Sequence, residues 1–415
     1  MDCSQEIVSG ANAIGWAPAR FAELKEKTDK VRKRDVVLSS ALPWRRGGRV
    51  RRVGSRGAAG QRLPAGQLHQ RVGGAGPKRS NHLDWAVFEN ELKWYWTEAQ
   101  RGHLNYGDAD RLLDFCDRAG KPVRGHCIFW AVDGAVQQWI KDIGGDRDQL
   151  MSVVLDRVPR PALPLRRPVP ALRHAPRPLL PRPPRRHVAA LMFREAARLD
   201  PGAKLFVNDY NVECANDPNA TPERYMALID DLRRGGAQVG GIGLQGHVSN
   251  PVGEVICDAL DKLAAMDLPI WITELDVGEQ DEALRADDLE VVLREAYAHP
   301  AVEGVIFWGI MQGHMWRRDG RAPQRRRHPQ PGDRGLFDLR SEWMSNARGR
   351  MDAEGQFKFR GFHGTYVVEL TTPAGTKMLK AFTIDKGDAT ARARHGQPLT
   401  IDDSSPTSIP IYLYI

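Results

Sequence analysis

The chain has 415 residues, 41% hydrophobic and 27% charged, enough for one large domain and a smaller one. It holds no apolar run of about 18 residues, so no membrane span is expected, and the start MDCSQEIVSGANAIGW lacks the basic and apolar regions of a signal peptide. The net charge of +8 suggests nucleic acid, yet it is concentrated: residues 43–80 carry ten Lys/Arg and no acid, 157–187 nine Arg and no acid, and 317–334 seven Arg against two Asp. The remainder is acidic and no aromatic residues interleave with the arginines, so no nucleic-acid partner is expected.

In chain order, residues 18–35 read as a charged helix with an apolar stripe at Phe21, Leu24 and Val31. From residue 84 a rhythm begins, in which a short apolar run ends in polar residues and a helical stretch follows. "WAVFENELKW" (85–94) precedes the amphipathic "YGDADRLLDFCDRAG" (106–120), and "KPVRGHCIFW" (121–130) precedes a helix around "AVQQWIKDI". A helix "MFREAARLDPGA" leads into "KLFVNDYNVE" (204–213). "TPERYMALIDDLRRGGA" (221–237), with Thr-Pro at its start and Gly at its stop, leads into "VGGIGLQGHVS" (239–249). Two further helices lead into "LPIWITELDV" and "AVEGVIFWGIMQGHMW" (301–316). Beyond about 340 the pattern turns to alternation with Gly and Pro-Ala-Gly turns, which predicts antiparallel hairpins. The final "GQPLTIDDSSPTSIPIYLYI" shows no clear pattern.

Helices alternating with near-continuous apolar strands predict a parallel sheet covered by helices. Polar residues gather at the strand ends: Glu89/Asn90, His126/Trp130, Asn208/Asp209, Gln245/His247, Glu274/Asp276 and Trp308. That distribution suits a (β/α)8 TIM barrel, whose site lies at the C-terminal ends of its strands. "GGIGLQG" is a weak match to a phosphate loop, because no helix opens directly after it. The five cysteines are scattered without a CxxC pair, so neither a zinc site nor a disulfide framework is indicated.

The polar set holds no nucleophile elbow and no HExxH. Tryptophans beside Asn, Gln, Glu and Lys suit a sugar chain, because indole faces stack on sugar C–H surfaces and hydroxyls need donors and acceptors. Hydrolysing a glycosidic bond then requires two carboxyl groups. Glu274, at the end of the apolar run "PIWITELDV", is a first candidate.

"WITELDV", "ENELKW", "RGHCIFW", "LFVNDYN", "GIGLQGH" and "FWG…MW" resemble, in order and spacing, the motifs of the family-ten glycoside hydrolases, the endo-β-1,4-xylanases, and most of all the plant members. The resemblance covers roughly 84–156 and 188–345. It implies a retaining hydrolase of internal β-1,4-xylosidic bonds, acting on xylan or xylo-oligosaccharides as a monomer with no cofactor or metal. It also implies an extracellular, wall-acting enzyme. By position, Glu274 resembles the nucleophile, with Asp276 and His247 as its supports. Glu89, Asn90 and Lys93 resemble the grip on the sugar two units toward the non-reducing end. His126, Trp130, Gln245, Trp308 and Trp316 resemble subsite walls, and Asn208 matches a polar position of the cleft. Ala131 departs from the pattern, since many members carry His there.

The family's acid/base Glu should lie between Asp156 and Met192, in a strand reading roughly "DVNNE". Residues 157–194 contain no Asp or Glu, and 157–187 contain ten prolines. Each proline lacks the N–H that a central strand needs, so the barrel is expected to be disrupted at 157–187. A GC-rich coding sequence for "MLHGPFYRDRLGDD", read one frame off, gives "APRPLLPRPPRR", as printed at 175–186; "VSRYAGRFPHYD" likewise gives 163–173. The three basic stretches therefore read as out of frame, and the chain divides into a helical remnant (1–36), a basic segment (37–83), the catalytic barrel (84–345) and a C-terminal β extension with tail (346–415). The alternative to an active xylanase is a catalytically dead relic or a non-catalytic xylan-binding protein.

Overall fold

The computed structural model describes residues 13–40, 49–55, 66–68, 85–130, 132–158, 172–173, 185–309, 338–339, 341–371, 377–387, 389–395 and 411–414. Its elements begin with α1 (Ala13–Arg32), β1 (Lys33–Ser40), β2 (Arg49–Ser55), β3 (Gly66–Leu68), β4 (Trp85–Phe88), α2 (Trp94–Thr97), α3 (Gly107–Arg118), β5 (Val123–Arg124) and β6 (Phe129–Trp130). Then come α4 (Gln138–Lys141), α5 (Arg147–Arg157), β7 (Leu172–Arg173), α6 (Arg185–Leu199), β8 (Ala203–Asp209), α7 (Pro222–Arg234), β9 (Gly241–Leu244), β10 (His247–Val248) and α8 (Gly253–Ala264). The chain continues through β11 (Ile270–Val277), α9 (Glu282–Ala298), β12 (Val302–Phe307), β13 (Asn346–Arg350), β14 (Gln356–Phe362), β15 (Gly364–Thr371), β16 (Lys377–Ile384), β17 (Ala391–His395) and β18 (Ile411–Tyr414).

From β3 to β12 the strand pairings are parallel: β3–β4–β5, then β6–β7–β8–β9–β11–β12, with β10 beside β11. β12 returns to lie near β3, so the strands follow one another around a (β/α)8 barrel. Local signals set the elements. Thr221 caps α7 by accepting from the Arg224 N–H, Pro222 occupies its first turn, and Arg233 and Arg234 sit at its negative end. Asp281 caps α9 by accepting from the Ala283 and Leu284 N–H groups. Every residue of β11 is buried, as a strand covered on both faces requires.

Inside the barrel, large rings face small residues. A Cβ on Gly241 would lie 2.2 Å from the Phe206 ring, and one on Gly304 would lie 2.4 Å from Trp271. Phe206, Trp271, Trp85, Ile306 and Trp308 form this inner cluster. A larger one, including Phe193, Ile229, Leu260, Leu293 and Val305, joins helices to strands.

The structure corrects the sequence expectation at two places. The Pro/Arg stretch does enter the sheet: Leu172 and Arg173 pair in parallel with Phe129–Trp130 on one side and Val207–Asn208 on the other. Those two residues fall in the proline-free interval between Pro170 and Pro176, so their N–H groups are available. The strand is only two residues long. The first half of β8, from Ala203 to Phe206, pairs instead with β18 of the tail, where no pattern was legible. Cysteine usage also differs: Cys116, Cys127 and Cys257 are free, but Cys214 is disulfide-bonded.

The C-terminal hairpins recruit strands from the other end of the chain. β1 pairs antiparallel with β14 and parallel with β17, and β2 pairs antiparallel with β13 and β15. Val36, Leu38, Phe357, Tyr366, Val368 and Ile384 form the core of this module. β1 thus crosses the boundary drawn between residues 36 and 37. Arg32, 4% exposed, fastens the module to the barrel. It donates to the carbonyls of Tyr297 (2.9 Å), His299 (2.7 Å) and Val302 (2.8 Å). Tyr297 in turn stacks on Trp343 at 4.0 Å.

Candidate active site

Glu274 lies within β11, three residues before its last residue Val277, and is fully buried. An ionised carboxylate there is costly without partners. Asn208, from the neighbouring end of β8, donates from Nδ2 to Glu274 Oε1 at 3.0 Å. The amide is oriented by Thr273, whose hydroxyl donates to Asn208 Oδ1 at 2.6 Å; Leu244 O is also within reach at 3.1 Å. Thr273 and Glu274 both reach the Asn208 amide, where the pairing of β11 with β12 shifts register between Ile272 and Leu275, so one strand supplies both the carboxylate and the group that aims its donor.

His247 bridges the two carboxylates of the "ELD" segment. Its Nδ1 is 3.0 Å from Asp276 Oδ2, and its Nε2 is 3.6 Å from Glu274 Oε2. Burial alone would lower its pKa, but the two carboxylates outweigh it and hold the imidazole above its ordinary value. When protonated, His247 offsets negative charge on Glu274. His126, 1% exposed, places Nδ1 3.9 Å from Glu274 Oε1 and meets Trp308 edge-on at 5.0 Å.

The backbone fixes this register. The Glu274 N–H donates to Gln245 O at 2.7 Å and the Asp276 N–H to Gly246 O at 3.1 Å. Gly246 adopts φ +77°, and a Cβ there would lie 2.5 Å from Ile272 Cγ2, so the turn between Gln245 and His247 needs glycine. Its N–H donates to Glu213 Oε1 at 2.8 Å. Burial raises the pKa of Glu213.

A second polar group lies beyond Trp308. Lys93 Nζ donates to Asn90 Oδ1 at 3.0 Å, and the Tyr95 hydroxyl donates to the same oxygen at 2.6 Å. Lys93 sits 4.4 Å above the Trp130 ring and 5.9 Å from that of Trp308, which links the two groups. The structure thus gathers Glu274, Asp276, His247, Asn208, His126 and Trp308 in one place, with Asn90, Lys93 and Trp130 beside them. Glu89 is half-buried just past the end of β4, and Gln245 takes part through its backbone. Trp316 and Ala131 lie outside the described residues. Sequence reasoning missed Thr273, Tyr95, Glu213 and Arg124, the last fully buried with Nη1 3.4 Å from His126 Nδ1. Arg124 stands two residues before His126 in "RGH", on the same face of an extended segment, and that spacing was a usable signal. Among the described residues no His, Cys, Asp and Glu cluster is placed to hold a metal ion.

A buried carboxylate with one amide donor and one imidazole, beside indole rings and a Lys–Asn–Tyr cluster, is equipped to attack an electrophilic carbon of a polyhydroxylated ligand. Comparison with known proteins agrees. Endo-1,4-beta-xylanase 1 of Arabidopsis thaliana is 39% identical over 404 residues, covering 92% of this chain and 40% of that protein. Endo-1,4-beta-xylanase 3 of the same plant is 44% identical over 322 residues, covering 74% and 41%. The chain therefore spans about two fifths of the length of these relatives. Native xylanase 10B from Thermotoga maritima shares the fold at TM-score 0.56 and 19% identity, over 77% of this chain and 97% of that one. A family-10 structure from Paenibacillus barcinonensis does so at TM-score 0.56 and 22% identity, over 67% and 95%. The family model described as glycosyl hydrolase family 10 matches residues 59–159 and 187–336, and its gap falls on the Pro/Arg stretch. With both halves of the barrel matched on either side of that gap, this chain belongs to glycosyl hydrolase family 10.

Proposed function

We propose that the chain is an endo-1,4-β-xylanase-type retaining glycoside hydrolase, acting on internal β-1,4-xylosidic bonds of xylan with Glu274 as nucleophile. The observation that carries this reading is the fully buried Glu274 held by Asn208 at 3.0 Å, with the His247–Asp276 pair behind it. A Glu274 oxygen attacks the anomeric carbon and forms a glycosyl ester, which water later cleaves with net retention. Asn208 and His247 keep the carboxylate ionised and aimed. Trp130 and Trp308 serve xylose rings together with His126 and Gln245, and Trp316, outside the described residues, is assigned to the same walls by the family resemblance. Glu89, Asn90 and Lys93 bind hydroxyls of a more distant sugar unit. The reading extends to a monomer working outside the cell on wall xylan, as the resemblance to plant members of the family implies.

The test is release of reducing ends from xylan, together with xylo-oligosaccharide binding read by tryptophan fluorescence. Glu274→Gln is expected to abolish turnover and leave binding within about threefold, since uncharged Gln keeps the shape and hydrogen-bonding capacity of the site. Unchanged turnover in that variant would remove the nucleophile assignment. One observation favours a second reading, a xylan-binding relic: residues 157–194 hold no carboxylate. Binding with no chemistry on any xyloside would select it. The out-of-frame reading is tested by the transcript. If its frame yields a Glu ahead of α6, the second carboxylate is restored.

A further inference from the structure

We propose that the joint between the β module and the barrel is an acid-released latch: His363 is held neutral beside Arg32, Arg34 and Lys386, and the joint opens when this imidazole takes up a proton. The observation behind it is a buried ring among cations. His363 stands in the turn between β14 and β15 and is 6% exposed. Neither of its ring nitrogens has a hydrogen-bond partner. A charged imidazole carries two N–H donors, and burying it unpaired costs far more than burying the neutral ring.

The turn that carries His363 is fixed. Its N–H donates to Arg32 O at 3.0 Å. The Tyr366 hydroxyl donates to Phe362 O at 2.5 Å, and the Phe362 N–H donates to Ser345 Oγ at 2.9 Å. The same residues join the module to the barrel. The Arg32 guanidinium holds the carbonyls of Tyr297, His299 and Val302. The Phe362 ring lies 6.1 Å from that of Tyr297, and Lys386 reaches Glu303 of β12 at 3.8 Å. Arg34 of β1 straps the turn after β16, donating to Asp385 O at 2.8 Å and Ala389 O at 2.7 Å.

The charges facing His363 come from three elements: Arg32 at the end of α1, Arg34 on β1 and Lys386 after β16. Burial, then these cations, hold its pKa below the ordinary value; the Gly387 backbone, outside hydrogen-bond geometry, is the one group that favours a proton. Carboxylates near the joint, among the described residues, are engaged elsewhere or exposed. Glu303 pairs with Lys386, Asp29 with Lys33 and Arg360, and Asp35 with Arg360 at 3.4 Å, while Asp385 is exposed. Above pH 6.5 the imidazole is neutral whether the joint is open or closed. Below 6.5 the open joint takes the proton first, so closure weakens as pH falls through the lower closed-state value, by up to about tenfold per pH unit. Opening would free Arg34 and Lys386 from their partners and swing the module about the residues joining α1 to β1.

The experiment follows the full chain from pH 7.5 to 5 by small-angle scattering and by hydrogen exchange corrected for its intrinsic pH dependence. Local exchange is read rather than Tm, because His247 in the barrel acts in the opposite direction. Exchange over residues 32–38 and 357–371 should rise by up to about tenfold per pH unit below 6.5, with an increase in radius of gyration and β11 still protected. His363→Leu, which has no proton to take up, should hold the joint closed at pH 5. Ring NMR of the unmutated chain keeps the test decisive if that variant misfolds: proton uptake by His363 should coincide with opening. A closed joint at pH 5 in the unmutated chain would overturn the proposal, as would His363 titrating at 6.5 or above with the joint closed. So would acid opening that persists in His363→Leu, which would assign it to His299, buried beside Arg32 and paired with Asp261 at 3.2 Å. None of these readouts uses xylan, so each outcome leaves the assignment of Glu274 where it stands.

Discussion

Asn208→Ala tests the electrostatics of Glu274, the proposed nucleophile, directly. The side chain contributes one N–H···O bond of 3.0 Å to a fully buried carboxylate. Hydrogen bonds to charged groups contribute about 1.5–3 kcal/mol, and each 1.4 kcal/mol is a factor of ten, so formation of the glycosyl ester should slow by roughly 10- to 100-fold. The Thr273 hydroxyl keeps an acceptor in Leu244 O at 3.1 Å, so the fold should survive the change. Asn208→Asp is harsher. It sets a second carboxylate about 3 Å from Glu274, and like charges at that separation repel by about 5 kcal/mol at an effective dielectric of 20. The two then share a proton, and Glu274 is a poor nucleophile until that proton leaves. The assay is the pre-steady-state burst from an activated aryl xyloside across a pH series. The Ala variant should lower the burst rate with little change in pH profile, and the Asp variant should shift the profile upward. A burst rate in Asn208→Ala within twofold of the parent, with the same xylo-oligosaccharide affinity, would refute the view that Asn208 holds the nucleophile ionised and aimed.

Other outcomes follow from the same geometry. Arg32→Met removes three bonds to buried carbonyls and should cost about 3–5 kcal/mol in urea denaturation; a loss under 1 kcal/mol would mean that the β module is not fastened there. Gly241→Ala sets a methyl 2.2 Å from the Phe206 ring and should cost about 1–3 kcal/mol by overpacking, read as a lowered Tm. His247 carries a folded pKa raised above 6.5, with burial opposing and Asp276 and Glu274 prevailing. Its stabilising contribution is therefore complete below 6.5 and lost as pH rises through the folded value. Tm should fall over that window, and Asp276→Asn should flatten the fall; an unchanged slope in that variant would assign the pH dependence to other groups.

Much of the barrel was legible because its signals are local. Thr221-Pro222 starts α7, Gly235 stops it, and the uninterrupted apolar run before Glu274 reads as a strand buried on both faces. Glu274, His247 and Asp276 stood out because polar groups at the ends of apolar strands are expensive unless they have work to do. Thr273 and Arg124 did not stand out. Each looks like ordinary strand content, and its importance depends on what another strand places beside it. The same holds for β1 and β2. Their partners lie some three hundred residues away, and strand pairing at that separation leaves no periodic trace in either segment. β7 was misjudged for a different reason. Proline density argues against a long strand, yet a strand of two residues needs only two free N–H groups.

The position of β1 also sets how the molecule carries mechanical load. β1 runs parallel to β17, from Val36 opposite Ala391 to Ser40 opposite His395. Tension applied ahead of β1 and behind β17 pulls the two strands lengthwise past each other, loading their cross-strand bonds together rather than one at a time. The intervening barrel lies off that line of force. A pulling experiment between residues 33 and 395 would meet the clamp first, and the barrel around Glu274 would keep its shape until the clamp sheared.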